Sequence, residues 1–453
     1  MIFNSLIFLF AFLPVVLVLG LWIFPGNWRA AFLTGASFVF YAYAGVFYAV
    51  LFAATLAWVY LVTLGSAQGS RWRLAAAIVP PLVLLIYYKY SGFLLHPIFR
   101  AAASDESFSL FQNVALPAGI SFYTFTLIAF AVDRYRGTIP AQPRFWDVCL
   151  YISFFPHLVA GPILRYAPVR AALEHLPKFR LNAADALQGL GYVVVGLAAK
   201  VLVADTLANA IAPFVETPSD LSPSGAAFVL LGYSFQIYFD FYGYSLAAIG
   251  LAKFFGFDFP ANFLRPYESA NPREFWRRWH VTLSFWIRDY VYLPLGGNTH
   301  YTRNIILTFA LCGLWHGAGW NFMVWGLYHG ALVVGYRAVR PTWDALPSLL
   351  QVFITFALVT LGWSLFLYDF SGASELMQSL AGFGGTVAPP AMQWSLVAAA
   401  VLICFSVDAE RLAGSIDLAG WRPAAVRGAW LAALSMAILL FLDRSHTFIY
   451  FRF

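Results

Sequence analysis

The chain has 453 residues, of which 61% are hydrophobic and 11% charged, and its formal net charge is +6. Soluble domains carry about a quarter charged residues, so this composition excludes an ordinary water-soluble globular protein. The basic residues cluster in loops between apolar runs, so the charge does not indicate nucleic acid.

Apolar runs recur roughly at residues 3–24, 30–48, 49–65, 74–95, 114–132, 146–164, 186–214, 224–252, 303–338, 346–368, 391–407 and 424–442. Each is near the ~20 residues that a spanning helix needs, and the longest have room for two helices or a broken one. A transmembrane β-barrel would show short alternating segments instead. The pattern predicts an all-α polytopic integral membrane protein, residues 1–453 forming a single domain. The first run has no basic flank or small-residue cleavage site and reads as a retained helix, not a removed signal. Cys149, Cys312 and Cys404 lie in or beside apolar runs without paired spacing, so neither a disulfide nor a metal site is expected.

Lys and Arg placement gives an orientation. Arg29, then Arg71 and Arg73, then Arg134, Arg136 and Arg144 mark cytoplasmic loops, while the loop around Asp105 and Glu106 is poorer in base, which puts the N-terminus outside. YISFFPHLVAGPILRY (151–166) breaks the alternation, because it carries Pro156, Gly161 and Pro162 and leads to Arg165, Arg170, Lys178 and Arg180. A re-entrant segment resolves the conflict, since broken helices are tolerated at membrane depth where protein or a watery cavity surrounds them. A kinked spanning helix is the other reading. VETPSDLSP and the 370–390 loop, both without Lys or Arg, read as external, and the basic region after residue 252 as cytoplasmic.

Within NPREFWRRWHVTLSFWIRDYVYLPLGG (271–297), Asn271 can cap a helix, Pro272 suits its first position and Glu274 completes a capping box. Arg273, Arg277, His280, Ser284 and Arg288 then fall at spacings of three and four, making one polar stripe. Phe275, Trp279, Leu283, Trp286 and Tyr290 make the opposite face, and Pro294 with Gly296 and Gly297 ends the element. Such a stripe suits the wall of a polar tunnel, or else a helix lying flat at the lipid surface.

Next, LCGLWHGAGWNFMVWGLYHG (311–330) places His316 among Gly313, Gly317 and Gly319, which permit close approach of a ligand or helix. Trp315 and Trp320 could enclose a cavity, and Asn321 adds a hydrogen-bonding group. Ionisable residues within a span are functional candidates by default. Imidazole can accept and return a proton near neutrality, so His316 is expected to remove a proton from an attacking hydroxyl. His280 or Asn321 would orient the donor or stabilise the oxyanion. His329 lies about 220° from His316 round a continuous helix and is expected to face elsewhere, in a structural role. Asp240, another intramembrane carboxylate, is expected to pair with a cation, orient a histidine or anchor a helix.

These residues resemble the membrane-bound O-acyltransferase (MBOAT) family, in its bacterial alginate O-acetylation branch. The matching pieces are YFDFYGYSLAAIGLAKFFGFDFPANFLRPY, EFWRRWHVTLSFWIRDYVYLPLGGN, LCGLWHGAGWNFMVWGLYHG, the earlier FFPHLVAGPI and the terminal FIYFRF. Leu264 stands in NFLRPY where Asn is usual, and NTHYTRN follows the LGG turn where the branch is more basic. The resemblance implies a ring of spanning helices around shorter re-entrant central helices, crossed by a tunnel, with His316 and His280 as the family's two conserved histidines. It implies acetyl-CoA as a cytoplasmic donor substrate, with no bound cofactor. It also implies transfer across the bacterial inner membrane to a periplasmic or membrane-anchored polysaccharide acetyltransferase partner, with membrane lipid around the chain. The basic mouth at Arg273, Arg277 and Arg278 suits a phosphate-rich donor. D-alanyl transfer to teichoic acid from a carrier protein is the near alternative. A proton-relaying transporter using His280, His316 and Asp240 is the distant one, although no paired internal repeat is visible.

Overall fold

A computed structural model describes residues 1–24, 26–64, 70–94, 115–139, 142–414 and 421–449. The loop around Asp105 and Glu106 and the last four residues of FIYFRF lie outside the described residues. Among those described there is no strand, only an isolated bridge between Leu221 and Val387. The all-helical expectation therefore holds, and four helices are long and apolar enough to cross a membrane: Val46–Thr63, Arg71–Leu94, Ala183–Val215 and Ser348–Leu367.

The helices fall into two compact units, Met1–Val193 with Ala247–Pro260, and Val194–Leu246 with Ala261–Phe453. In the first unit, α1 (Phe8–Ile23), α2 (Trp28–Ala42), α3 (Val46–Thr63) and α4 (Arg71–Leu94) are followed by α5 (Ile120–Tyr135). Phe8, Phe12, Phe40 and Phe155 interlock here, with ring centroids 5.4–6.1 Å apart in their edge-on contacts. The stretch 151–166 is broken as its prolines and glycine require. Helix α6 (Phe145–Ser153) stops at Phe154, α7 (Phe155–Leu158) makes a single turn, and α8 (Tyr166–His175) begins after an irregular stretch. Side chains satisfy the interrupted backbone: the Tyr151 hydroxyl donates to the Leu164 carbonyl at 2.9 Å, and Ser37 Oγ accepts the Phe155 N–H at 3.1 Å.

Helices α9 (Ala183–Val215) and α10 (Pro223–Lys253) each run from one unit into the other. Glycines set their contact. In the first unit a Cβ on Gly250 would stand 2.8 Å from the Tyr192 Cβ, and in the second a Cβ on Gly243 would stand 2.5 Å from the Gly196 carbonyl oxygen. The pairs Gly189/Gly250 and Gly196/Gly243 are seven residues apart on both helices, the two-turn repeat of an antiparallel crossing.

The second unit continues with α11 (Pro272–Arg278), α12 (Val281–Ile287), α13 (Tyr301–His316), α14 (Trp320–Asp344) and α15 (Ser348–Leu367). The 303–338 run is thus two helices. Gly317 and Gly319 are both extended, and a Cβ on Gly317 would collide with the Phe322 ring. After this break α13 and α14 fold against one another on glycine, where a Cβ on Gly326 would lie 3.1 Å from the Gly313 Cα.

Replacing Gly313 by Leu drives a side chain into the backbone at Phe322 and Gly326, and is expected to cost upwards of about 2 kcal/mol. Gly335→Leu, on the same hairpin with open space around it, should change stability by less than ~0.5 kcal/mol. All three cysteines are buried, so thermal unfolding in detergent followed with a thiol-reactive dye reads both variants.

Candidate functional site

The sequence predicts one helix from Pro272 to the Pro294, Gly296 and Gly297 stop. The structure breaks it at Trp279–His280, and His280 has φ +45°, a left-handed conformation costly for a non-glycine residue. The start is as expected: Asn271 Oδ1 accepts the Glu274 N–H at 2.9 Å, and Glu274 reaches back to the Ala270 N–H at 2.9 Å. The break divides the expected polar stripe. Arg273, Arg277, Ser284 and Arg288 line one cavity of about 310 Å³, whose wall continues through Thr308 to Cys312, one helical turn before His316. His280 leaves the stripe and faces inward, 1% exposed. Arg278 is not in that lining and instead pairs with Glu274 at 2.5 Å.

A cluster from the NFLRPY loop holds His280. Asn262 Oδ1 lies 3.2 Å from His280 Nδ1, 2.9 Å from Thr282 Oγ1 and 3.3 Å from the Thr282 backbone nitrogen, while its Nδ2 donates to Ser245 Oγ at 3.3 Å. A backbone N–H can only donate, so the atom facing Thr282 is the amide oxygen, and an oxygen can only accept. In the neutral ring the hydrogen therefore sits on Nδ1 and the lone pair on Nε2. Asn262 is a residue that periodicity could not find, because it lies in an irregular loop.

His316 ends α13, 2% exposed, with ring centroids 4.9 Å from Trp315, 5.1 Å from Trp325 and 5.3 Å from Phe366. Trp315 also meets His280 at 6.0 Å, so one indole touches both histidines. The expectation for His329 changes. Because the backbone is broken at 317–319, the 220° separation does not apply, and His329 lies on the same Trp325 at 4.9 Å. Asn321 donates to the Leu365 and Tyr368 carbonyls at 3.0 and 3.2 Å, fastening α14 to the end of α15 with its amide hydrogens. Of the two tryptophans that flank this segment, Trp315 is buried and Trp320 is 58% exposed.

Asp240 pairs with a cation the sequence reading passed over. Lys200 Nζ lies 2.5 Å from Asp240 and 2.6 Å from Asp205, all three buried, and 4.9 Å from the Phe448 ring centroid. Lys200 lies in a π-helical stretch, Ala199–Ala204, and Asp205 follows it directly, so the wider turn brings these residues, five apart, together. The other Asp240 oxygen accepts the Ile449 N–H at 2.8 Å. The signal was available: a lone lysine in an apolar span needs a carboxylate.

Lys200→Met strands two buried carboxylates and is expected to cost roughly 3–5 kcal/mol, whereas Lys200→Met with Asp205→Asn and Asp240→Asn should recover most of it in the same unfolding measurement. Asn262→Ala removes the acceptor that sets the His280 tautomer. Its 15N spectrum should show both tautomers where the wild type shows Nδ1–H alone, with a stability loss of about 1–3 kcal/mol, and Asn262→Asp should restore the single tautomer.

Residues 138–371 match the model of the membrane-bound O-acyltransferase family. The chain is 40% identical over 384 residues to a probable alginate O-acetylase AlgI of Azotobacter vinelandii, covering 81% of this chain and 75% of that protein. It is 34% identical over 432 residues to a peptidoglycan O-acetyltransferase of Helicobacter pylori, covering 85% and 80%. It is 29% identical over 324 residues to a teichoic acid D-alanyltransferase of Bacillus subtilis, covering 67% and 78%. The family decides between the enzyme and transporter expectations: this chain belongs to the membrane-bound O-acyltransferases and is a helical membrane acyltransferase.

Proposed function

We propose that the chain is a multi-pass protein of the bacterial inner membrane that takes acetyl groups from cytoplasmic acetyl-CoA and delivers them for O-acetylation of an exopolysaccharide such as alginate. The observation that carries this reading is the cavity whose wall runs from Arg273, Arg277 and Arg288 to Cys312, one turn from His316. Guanidinium groups suit the phosphates and diphosphate of a coenzyme A thioester. The apolar wall further in suits its thioester arm. A tunnel lined by short helices, α11 and α12 among them, would carry the reaction to the far face. A periplasmic or membrane-anchored polysaccharide acetyltransferase would receive the product there.

In the transfer, the acceptor hydroxyl oxygen bonds to the thioester carbonyl carbon and its proton passes to the His316 imidazole. The carbon–sulfur bond then breaks, and the imidazole returns the proton to the departing thiolate. His280, with its Nδ1 hydrogen on Asn262, presents Nε2 as the second polar group and orients the donor. Arg273, Arg277, Ser284 and Arg288 hold the nucleotide end. Asp240 anchors α10 through Lys200, outside the chemistry.

A second reading is acyl transfer to a cell-wall polymer, favoured by the relatives named for peptidoglycan and teichoic acid. Transfer of radiolabelled acetyl from acetyl-CoA by purified protein with its partner tests both. His316→Ala is expected to lower the rate by 10²-fold or more while remaining folded, and Arg273→Ala/Arg277→Ala to raise the apparent KM. A folded His316→Ala protein acetylating at the normal rate would overturn the assignment. Dependence on an acyl carrier protein in place of acetyl-CoA would select the second reading.

A further inference from the structure

The first unit carries two features near the N-terminus of α2 that the acyl transfer does not use. A polar cavity of about 350 Å³ is lined by Arg144, Asp147, Tyr166, Arg170 and Glu174, and Arg144 and Asp147 also border a smaller cavity reaching Asn27. Arg144 donates to Asn27 Oδ1 at 3.3 Å, and Trp28 follows Asn27 at the start of α2. At Trp28 an apolar groove of about 680 Å³ begins, walled by α1 and α2 and running past Phe32 and Gly35 to Val39.

Groove and cavity correspond in depth and in charge to the two parts of a phospholipid. From Trp28 to Val39 a helix rises roughly 16 Å, close to half of the ~30 Å hydrocarbon core, so the groove has the depth of one leaflet. Its Trp28 end is next in sequence to Arg29, and the loops bearing Arg29, Arg134, Arg136 and Arg144 have the basic excess of the cytoplasmic face. Trp22, Trp28 and Trp146 are exposed around it, as aromatic residues are at a membrane–water boundary. The cavity offers two guanidinium and two carboxylate groups, so it complements a headgroup bearing both signs. The Arg170–Glu174 pair at 2.7 Å is exposed, and such pairs yield readily to a new partner.

We propose that this unit binds a zwitterionic aminophospholipid of the phosphatidylethanolamine class. Its phosphate lies on Arg144 and Arg170, its ammonium on Asp147 and Glu174, and one acyl chain in the groove along α2. A primary ammonium can donate hydrogen bonds to the carboxylates, whereas a quaternary choline cannot, so the site selects against phosphatidylcholine. It selects against phosphatidylglycerol because the two carboxylates would face a headgroup without positive charge.

The test is full-length protein reconstituted in nanodiscs of equal parts phosphatidylethanolamine, phosphatidylcholine and phosphatidylglycerol, then released into detergent for native mass spectrometry. Phosphatidylethanolamine should be retained at least threefold above its bulk share. Arg144→Gln/Arg170→Gln should return it to that share, and Asp147→Asn/Glu174→Gln should remove the preference over phosphatidylcholine. Gly35→Phe fills the groove where a Cβ meets nothing within 4 Å, so it should expel the lipid with an unchanged melting temperature. Wild-type retention in bulk proportion, enrichment of phosphatidylglycerol instead, or undiminished phosphatidylethanolamine in Gly35→Phe would each overturn the proposal.

Discussion

Hydrocarbon supplies no hydrogen bonds, so every polar group drawn into this protein's interior must find its counterpart within the chain. That requirement organises both units. Arg29, read from sequence as a loop cation, is 3% exposed and spends its guanidinium on the Leu176 and Phe179 carbonyls at 2.8 and 2.7 Å. Arg134, 2% exposed, donates to the Ile139 carbonyl and to Gln142. Lys200 gathers Asp205 and Asp240, and Asn262 gathers His280 and Thr282. Some of these counterparts are local, as Asp205 is to Lys200, and others distant, as the Leu176 and Phe179 carbonyls are to Arg29.

The candidate site follows the same logic with a different material. His316, His280 and His329 sit among tryptophan and phenylalanine rings, and the glycines at 313, 317 and 326 are what let those rings close in. A rigid aromatic frame of this kind restricts the orientations open to each imidazole. The arginine-lined cavity reaches Cys312, one helical turn from His316 at the edge of this frame.

Helix content, the order of the apolar runs, the Asn271 cap and the break near Pro156 were legible because each rests on local pattern: periodicity, capping chemistry or a ring that forbids helix. The break at His280 was not, since RRWHVTL contains neither glycine nor proline and its spacing reads as continuous helix. It is held from outside, by an asparagine eighteen residues earlier. The glycine pairs of α9 and α10 leave no mark in an unaligned sequence, because a glycine in a span does not name the helix it meets. Lys200 escaped notice for a related reason. Its partner at i+5 shares a face only in the π register, which hydropathy does not reveal.

Asp240 draws on residues from very different points in the chain. Lys200 precedes it, but the amide of Ile449, which its second oxygen accepts, lies 209 residues further on. At a ribosome adding about 5–20 residues per second, roughly 10–40 s separate the two. During that interval the carboxylate sits in the bilayer with its lysine already in place and its amide still unmade. Assembly of the second unit is therefore finished late, by a segment that docks onto a charge waiting since mid-synthesis.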